Sequence, residues 1–274
     1  MIQWIEKHRT ENKAWFSLAE EINRFAQEQM LKLDIHDKDY QEQLVAAGFL
    51  RVLSSFQGGV LMLERGMIFE AGTLLRAQIE AMFVVAAAAK DREFAHQYIL
   101  SDGAHKLRLM KNLLNSNGKS KEIICASTSW EEVEILKGQL KANNISDIQI
   151  RDIAIAAGYP NWYTVVYTYL SQMAAHPTPL SLDNYLITSN GETVQELLWG
   201  PDVYGIGCLL SSGVESLVMV LEKVSEVFEK DWSGTLDSIH GRLADLAKLE
   251  DSLSFGYRNV KRSQDPVTPP QRTT

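Results

Sequence analysis

Residues 60–90 read VLMLERGMIFEAGTLLRAQIEAMFVVAAAAK, and this stretch decides the fold class. It predicts one long, mostly apolar helix running from about Val60 to Lys90. Its longest apolar run, Ala81 to Ala89, is too short to cross a bilayer, and Glu64, Arg65, Glu70, Arg76 and Glu80 interrupt the residues before it. The stretch therefore reads as the core helix of a globular protein. Charges in such a helix need a reason, because burying them unpaired is costly. At the angular step of an α-helix, Arg65, Thr73, Arg76 and Glu80 fall within an arc of roughly 80°, while Glu64 and Glu70 lie elsewhere. Arg76 and Glu80 are four apart and can pair along the helix. Three readings stay open: an inter-helix salt bridge, a cation and carboxylate facing an internal cleft, or surface exposure.

Helical spacing continues on both sides. Thr10 is the expected N-cap of a helix to about Leu33, with Trp15, Leu18, Ile22 and Phe25 on one stripe. Asp37 or Asp39 opens a second, through Val45, Phe49, Val52 and Phe56, with Gly58-Gly59 as a break or kink. Asp91 begins a helix carrying Phe94, Tyr98, Leu107 and Leu113, closed by Asn117-Gly118. Ser129 and Glu132 have capping-box spacing ahead of a helix to about Ala142. A short helix over 148–157 stops at Gly158, and Asn161 can cap the next, which reaches Ala175 before Pro177.

One β signal comes next: Tyr185 to Thr188 and Thr193-Val194 flank Ser189-Asn190-Gly191, a hairpin cue over 184–196. Gly200-Pro201-Asp202 then opens a long helix to about Lys230, and Ser233-Gly234 precedes a last one ending near Phe255. The expected architecture is all-α, a multi-helix bundle with a small β-hairpin insertion. It forms a single helical domain over 1–261, and a Ser, Pro, Thr and Gln-rich tail over 262–274 is expected to be disordered.

Composition narrows the function classes. The 274 residues carry a net charge of -8 and a pI near 5.3, which disfavours a general nucleic-acid or membrane binder. Cys125 and Cys208 are too few for a disulfide framework, and no Cys/His cluster suggests zinc. No metal and no cofactor are expected. The N-terminus, MIQWIEKHRTENK, has no apolar signal core, so the expected location is cytoplasmic.

The helix from Asn161 carries the second polar signature. Tyr163, Tyr167, Leu170, Ser171 and Ala174 fall on one stripe, and His176 sits just beyond it, held non-helical by Pro177. A histidine at a helix C-terminus is favoured as imidazolium by the dipole and titrates in the range of a general acid or base. It serves equally as a cap. Tyrosine and serine on an apolar stripe are more often core residues with a hydrogen-bonded tip than catalysts. Glu93 and His96 have the ExxH spacing of di-iron bundles, but no second ExxH exists. Gly205-Ile206-Gly207 has no strand before it and is not a phosphate loop, and neither GxSxG nor a Walker A sequence occurs.

AGTLLRAQIEA (71–81), RDIAIAAG (151–158) and YTVVYTYLSQMAAHPT (163–178) together resemble a bacterial all-helical family, the domain of unknown function 5677 type. The shared pattern is an RxxxE helix, here Arg76 and Glu80, then a YxxxSxxxxHP segment, here Tyr167, Ser171, His176 and Pro177, followed by a small hairpin. The family is loosely similar in style to the HEPN superfamily, whose active members are metal-independent RNases of toxin and phage-defence systems. Those place an arginine and then a histidine at short spacing on one helix, paired across a dimer. Here no arginine precedes His176 at that spacing. Arg92 and His96 come one residue short of it.

The resemblance implies an effector with HEPN-like, RNase-type activity, in which Arg76, Glu80, Tyr167, Ser171 and His176 are the catalytic set. The residues by themselves favour a non-catalytic binding or scaffold module in which the same groups hold the fold. The expected partners are a second copy or another protein, with RNA under the effector reading alone and no membrane. In both readings the Arg76/Glu80 helix and the Tyr167/Ser171/His176 segment are expected to pack together into one polar site. The guanidinium of Arg76 is expected to be largely buried there.

Overall fold

The computed structural model describes residues 2–116, 128–189, 193–198, 200–203 and 205–249. In chain order these form α1 (Ile2–Glu11), α2 (Lys13–Met30), α3 (Tyr40–Glu64), α4 (Ile68–Lys90), α5 (Arg92–Asn115), α6 (Trp130–Ala142), α7 (Ile150–Ala157), α8 (160–175) and α9 (Pro179–Asp183). The strands β1 (Leu186–Ser189) and β2 (Thr193–Leu197) come next, then α10 (Ile206–Val227) and α11 (Ser233–Leu249). Among the described residues the fold is all-α apart from this antiparallel pair, whose register runs from Leu186 opposite Leu197 to Ser189 opposite Thr193. The expected helix end at Asn117-Gly118, the hairpin turn at Asn190-Gly191, the end of the last helix, the tail 262–274 and Cys125 lie outside the described residues.

Local chemistry sets most boundaries. The Asp39 carboxylate accepts from the Gln41 and Glu42 amides and caps α3. Asp91 does the same for α5 through Glu93. Ser129 and Glu132 form the full reciprocal capping box of α6. Gly158 ends α7 in the left-handed region at φ +88°.

Several boundaries differ from the sequence reading, among them the start of α10, which lies at Ile206 and not at Gly200-Pro201-Asp202. The stretch 60–90 is two helices: α3 runs straight through Gly58-Gly59 and stops at Gly66, at φ +69°. There a Cβ would lie 2.6 Å from the Asp202 amide nitrogen and 2.7 Å from the Trp4 ring. A tertiary contact therefore fixes this break, and Arg65 ends on α3 rather than on the polar arc of α4. Thr10 is not an N-cap either. It sits inside α1, its hydroxyl donating to the Glu6 carbonyl, and the chain turns at Asn12. The helix after Gly158 opens with Pro160 at its first turn, so Asn161 lies within it.

α4 is the centre of the bundle. It packs on α3, α7, α8 and α10, burying Leu75, Ile79, Met82, Phe83 and Val85. Two close approaches need small residues. Gly48 of α3 faces Val85, and Gly72 of α4 faces Ala174 of α8 so tightly that a Cβ would come within 2.9 Å of the Ala174 Cβ. On the α10 side, the buried Gln78 amide donates to the Gly213 carbonyl at 2.8 Å and to Ser216 Oγ at 2.7 Å. By length and composition α3 and α4 could each cross a membrane. In the folded chain α4 is mostly buried and α3 partly so.

Candidate functional site

The site is built where α4 meets α8. The β-branched run Thr164, Val165, Val166 is poor helix-forming sequence, and α8 departs from α-helical winding in two places. Residues 163–167 and 171–175 form π-helical turns on either side of the short α-helical piece Thr168–Leu170. The wide turns are closed by i→i−5 bonds, Thr168 N–H to the Tyr163 carbonyl and His176 N–H to the Ser171 carbonyl. Each π turn carries an extra residue and shifts the register of the helix beyond it. The result places Tyr167 at the end of the first wide turn and Ser171 at the start of the second, both facing Arg76.

Arg76 is held on three sides. Its Nε donates to Ser171 Oγ at 2.9 Å, its Nη2 donates to the Tyr167 hydroxyl at 2.6 Å, and Nη2 forms an ion pair with Glu80 Oε1 at 2.9 Å. The Tyr167 hydroxyl donates in turn to Glu80 Oε1 at 2.7 Å. The Ser171 hydroxyl donates back to the Tyr167 carbonyl at 2.8 Å. The guanidinium carbon lies 4.8 Å from the Tyr167 ring centre. Tyr163 stacks on Tyr167 at 5.2 Å, and Phe83 approaches Tyr167 at 6.4 Å. Thr73, one turn earlier on α4, donates to the Phe69 carbonyl and to the Ala174 carbonyl of the second wide turn.

Exposure divides the cluster. Tyr167 is buried, whereas the side chains of Arg76 and Glu80 remain 23% and 33% exposed. Arg76 is thus mostly covered, in keeping with the expectation of a largely buried guanidinium, but it is not closed off from water. Among the described contacts Nη1 has no partner. Burial, the hydrogen bond to Glu80 and the charge of Glu80 push the Tyr167 hydroxyl up to about 12, against the opposing pull of Arg76 and Ser171. Tyr98 on α5 is raised too, first by burial and then by Glu80 and Asp102. This tyrosine belongs to the surroundings of Glu80, and the sequence reading placed it only on a core stripe.

His176 stands apart from this network. It is exposed and extended, at φ −119° and ψ 140°, and its described hydrogen bonds are all made by the backbone. Its amide donates to the Ser171 carbonyl, and its carbonyl accepts from the Thr178 amide and the Ser181 hydroxyl. The structure thus brings Arg76, Glu80, Tyr167 and Ser171 together and leaves the His176 side chain outside. Pro177 and the Thr178–Ser181 turn draw the backbone in, and the imidazole is left at the surface.

Acid–base chemistry in this arrangement is restricted. A hydroxyl pushed up to about 12 stays protonated at neutral pH and cannot accept a proton. Ser171 gives its proton to a backbone carbonyl, not to a base that could activate it. Among the described residues no group of three or more His, Cys, Asp or Glu is placed to hold a metal ion. The half-buried Cys208 lies on α10, away from the four-residue cluster.

No curated protein and no solved structure matches this chain. A family model does match, over residues 42–193, from the first turn of α3 to the first residue of β2, and this span holds Arg76, Glu80, Tyr167, Ser171 and His176. More than half of the chain lies within that match, and the chain belongs to the family of unknown function DUF5677.

Proposed function

We propose that the protein is a non-catalytic helical binding module, a scaffold in which the Arg76, Glu80, Tyr167 and Ser171 cluster braces α8 against α4. The observation that carries this reading is the closed ring of hydrogen bonds around the guanidinium. Nε and Nη2 are satisfied within the fold, and the tyrosine and serine hydroxyls are committed to acceptors of their own. The Ser171 hydroxyl has no side-chain base as its acceptor, and the one histidine of the pattern is turned away. The Nη1 edge is where a partner, a second copy or another protein, would meet the cluster. Its two N–H groups suit a carboxylate or phosphate oxygen.

The HEPN-like effector reading needs His176 to share a site with Arg76, and the exposed position of His176 supplies no support for it. The separating experiment incubates the purified full chain with labelled RNA and repeats the assay with Arg76→Ala and His176→Ala. The expected outcome is no cleavage by any of the three, with a lowered melting temperature for Arg76→Ala only. RNA cleavage that disappears in His176→Ala at unchanged melting temperature would replace the binding reading with the effector one.

A further inference from the structure

We propose that His8 is an acid-sensitive latch that holds the N-terminal helix α1 on the end of α3 when neutral and releases it when protonated. His8 is 1% exposed. Its ring stacks on Trp4 at 4.8 Å and meets the edge of Phe16 at 5.5 Å. Both ring nitrogens are used, and the partners fix the tautomer. Nε2 lies 3.2 Å from the Leu63 carbonyl oxygen, which can only accept, so Nε2 carries the proton. Nδ1 lies 3.1 Å from the Asn12 side-chain nitrogen, which can only donate, so Nδ1 is the acceptor. The orientation of the Asn12 amide is set independently: the same nitrogen donates to the His8 carbonyl at 3.1 Å.

A second proton on Nδ1 would face the Asn12 NH₂ group. Rotating the amide to offer its oxygen would set that oxygen against the His8 carbonyl. Either way a buried group loses its partner, which is the expensive case. Asn12 is also where α1 ends and α2 begins, its carbonyl accepting from Phe16 and its amide donating to the His8 carbonyl. The strained contact therefore sits at the pivot between the two helices.

Charged groups surround the imidazole from each neighbouring element. Glu11 is on α1 itself, and Glu64 is on α3, bound by Arg9 of α1. Arg9 also reaches Glu20 of α2, and the Asp202 backbone meets Gly66 beside Trp4. Glu11 and Glu64 favour the imidazolium, as does the Leu63 carbonyl, but burial outweighs them and holds His8 below the usual imidazole range. A histidine depressed in this way contributes stability fully above the ordinary imidazole value. That contribution is lost as pH falls from there through the depressed value. Besides His8, α1 is tied by Arg9 to Glu64 and Glu20 and by Trp4 against the Gly66 turn, and it packs on α2 and α3. Its release uncovers Leu63, Phe16 and the Gly66 turn.

The test is hydrogen–deuterium exchange on the full chain from about pH 7 down through the His8 titration. Rates are corrected for intrinsic exchange, and the His8 ring proton is titrated in parallel by NMR. The expected result is exchange over 2–11 faster by about tenfold or more at the acid end. Its midpoint should coincide with the His8 titration, and α4 and α10 should stay protected. In His8→Gln, which cannot titrate, exchange over 2–11 should be the same at both ends of that range. A His8→Gln chain that is loose at both still supports the latch, provided the wild-type coincidence holds. Flat exchange in the wild type would overturn the proposal. So would an acid response that persists in His8→Gln, or a His8 titration with no change in α1.

Discussion

Tyr167 uses one hydroxyl twice, accepting from Arg76 and donating to Glu80. Tyr167→Phe removes both bonds but leaves the direct Arg76–Glu80 contact at 2.9 Å, so the expected loss is about 1–2 kcal/mol, read from the urea midpoint. Arg76→Ala removes the centre of the ring. With Arg76 and Glu80 partly open to water, the loss should fall short of the ~3–5 kcal/mol of a fully buried pair, at about 2 kcal/mol. The raised hydroxyl also gives an alkaline signature. A folded-state value near 12 against an ordinary value of 10 means that the Tyr167 contribution is complete below the ordinary value and fades as pH rises through the interval above it. The wild-type midpoint should therefore fall more steeply than that of Tyr167→Phe over that interval, and parallel curves would show that the hydroxyl is not held this way. Sequence could propose these four residues because each polar group stood among apolar neighbours and needed a partner. The position of His176 was not legible. It sits five residues past Ser171, off the α-helical stripe and held non-helical by Pro177, and only the fold shows that its carbonyl takes the Ser181 hydroxyl while the ring goes to the surface.

At the scale of elements, the capped helices were readable and the tertiary breaks were not. Asp39, Asp91 and Ser129 mark their helices through bonds to amides two or three residues on, which a sequence displays directly. The stop at Gly66 depends on Asp202, Pro201 and Trp4, all far away in the chain. The two wide turns of α8 were equally hidden, because an α-helical stripe through Tyr163, Tyr167, Ser171 and Ala174 explains the same residues without them. Their consequence is testable at the α4–α8 crossing. Gly72 admits α8 only because it lacks a Cβ, so Gly72→Val should push the wide turn away and cost about 1–3 kcal/mol. The Arg76–Ser171 bond, at 2.9 Å, should break with it. Pairing Gly72→Val with Ala174→Gly should return part of that loss. No recovery in denaturant melts of the pair would mean that the two residues do not limit the approach.

In the whole molecule, two of the seams along which α4 packs are tied by the side chains of α4 itself. On one, Gln78 binds Gly213 and Ser216 of α10 inside the core; on the other, Arg76 binds α8 at half-burial. Sequence pointed to the second seam and passed over the first, since a lone glutamine among apolar residues shows no partner until α10 is folded against it. Gln78→Met should cost about 1–2 kcal/mol. Because the two seams share no partner, its effect and that of Tyr167→Phe should add to within about 0.5 kcal/mol. Whether the α8 seam is a brace is decided by a double-mutant cycle of Arg76→Ala and Ser171→Ala in urea. Both single variants should be destabilised, and the pair should show a coupling of about 0.5–3 kcal/mol. Both singles melting at the wild-type midpoint, with no coupling between them, would contradict the brace.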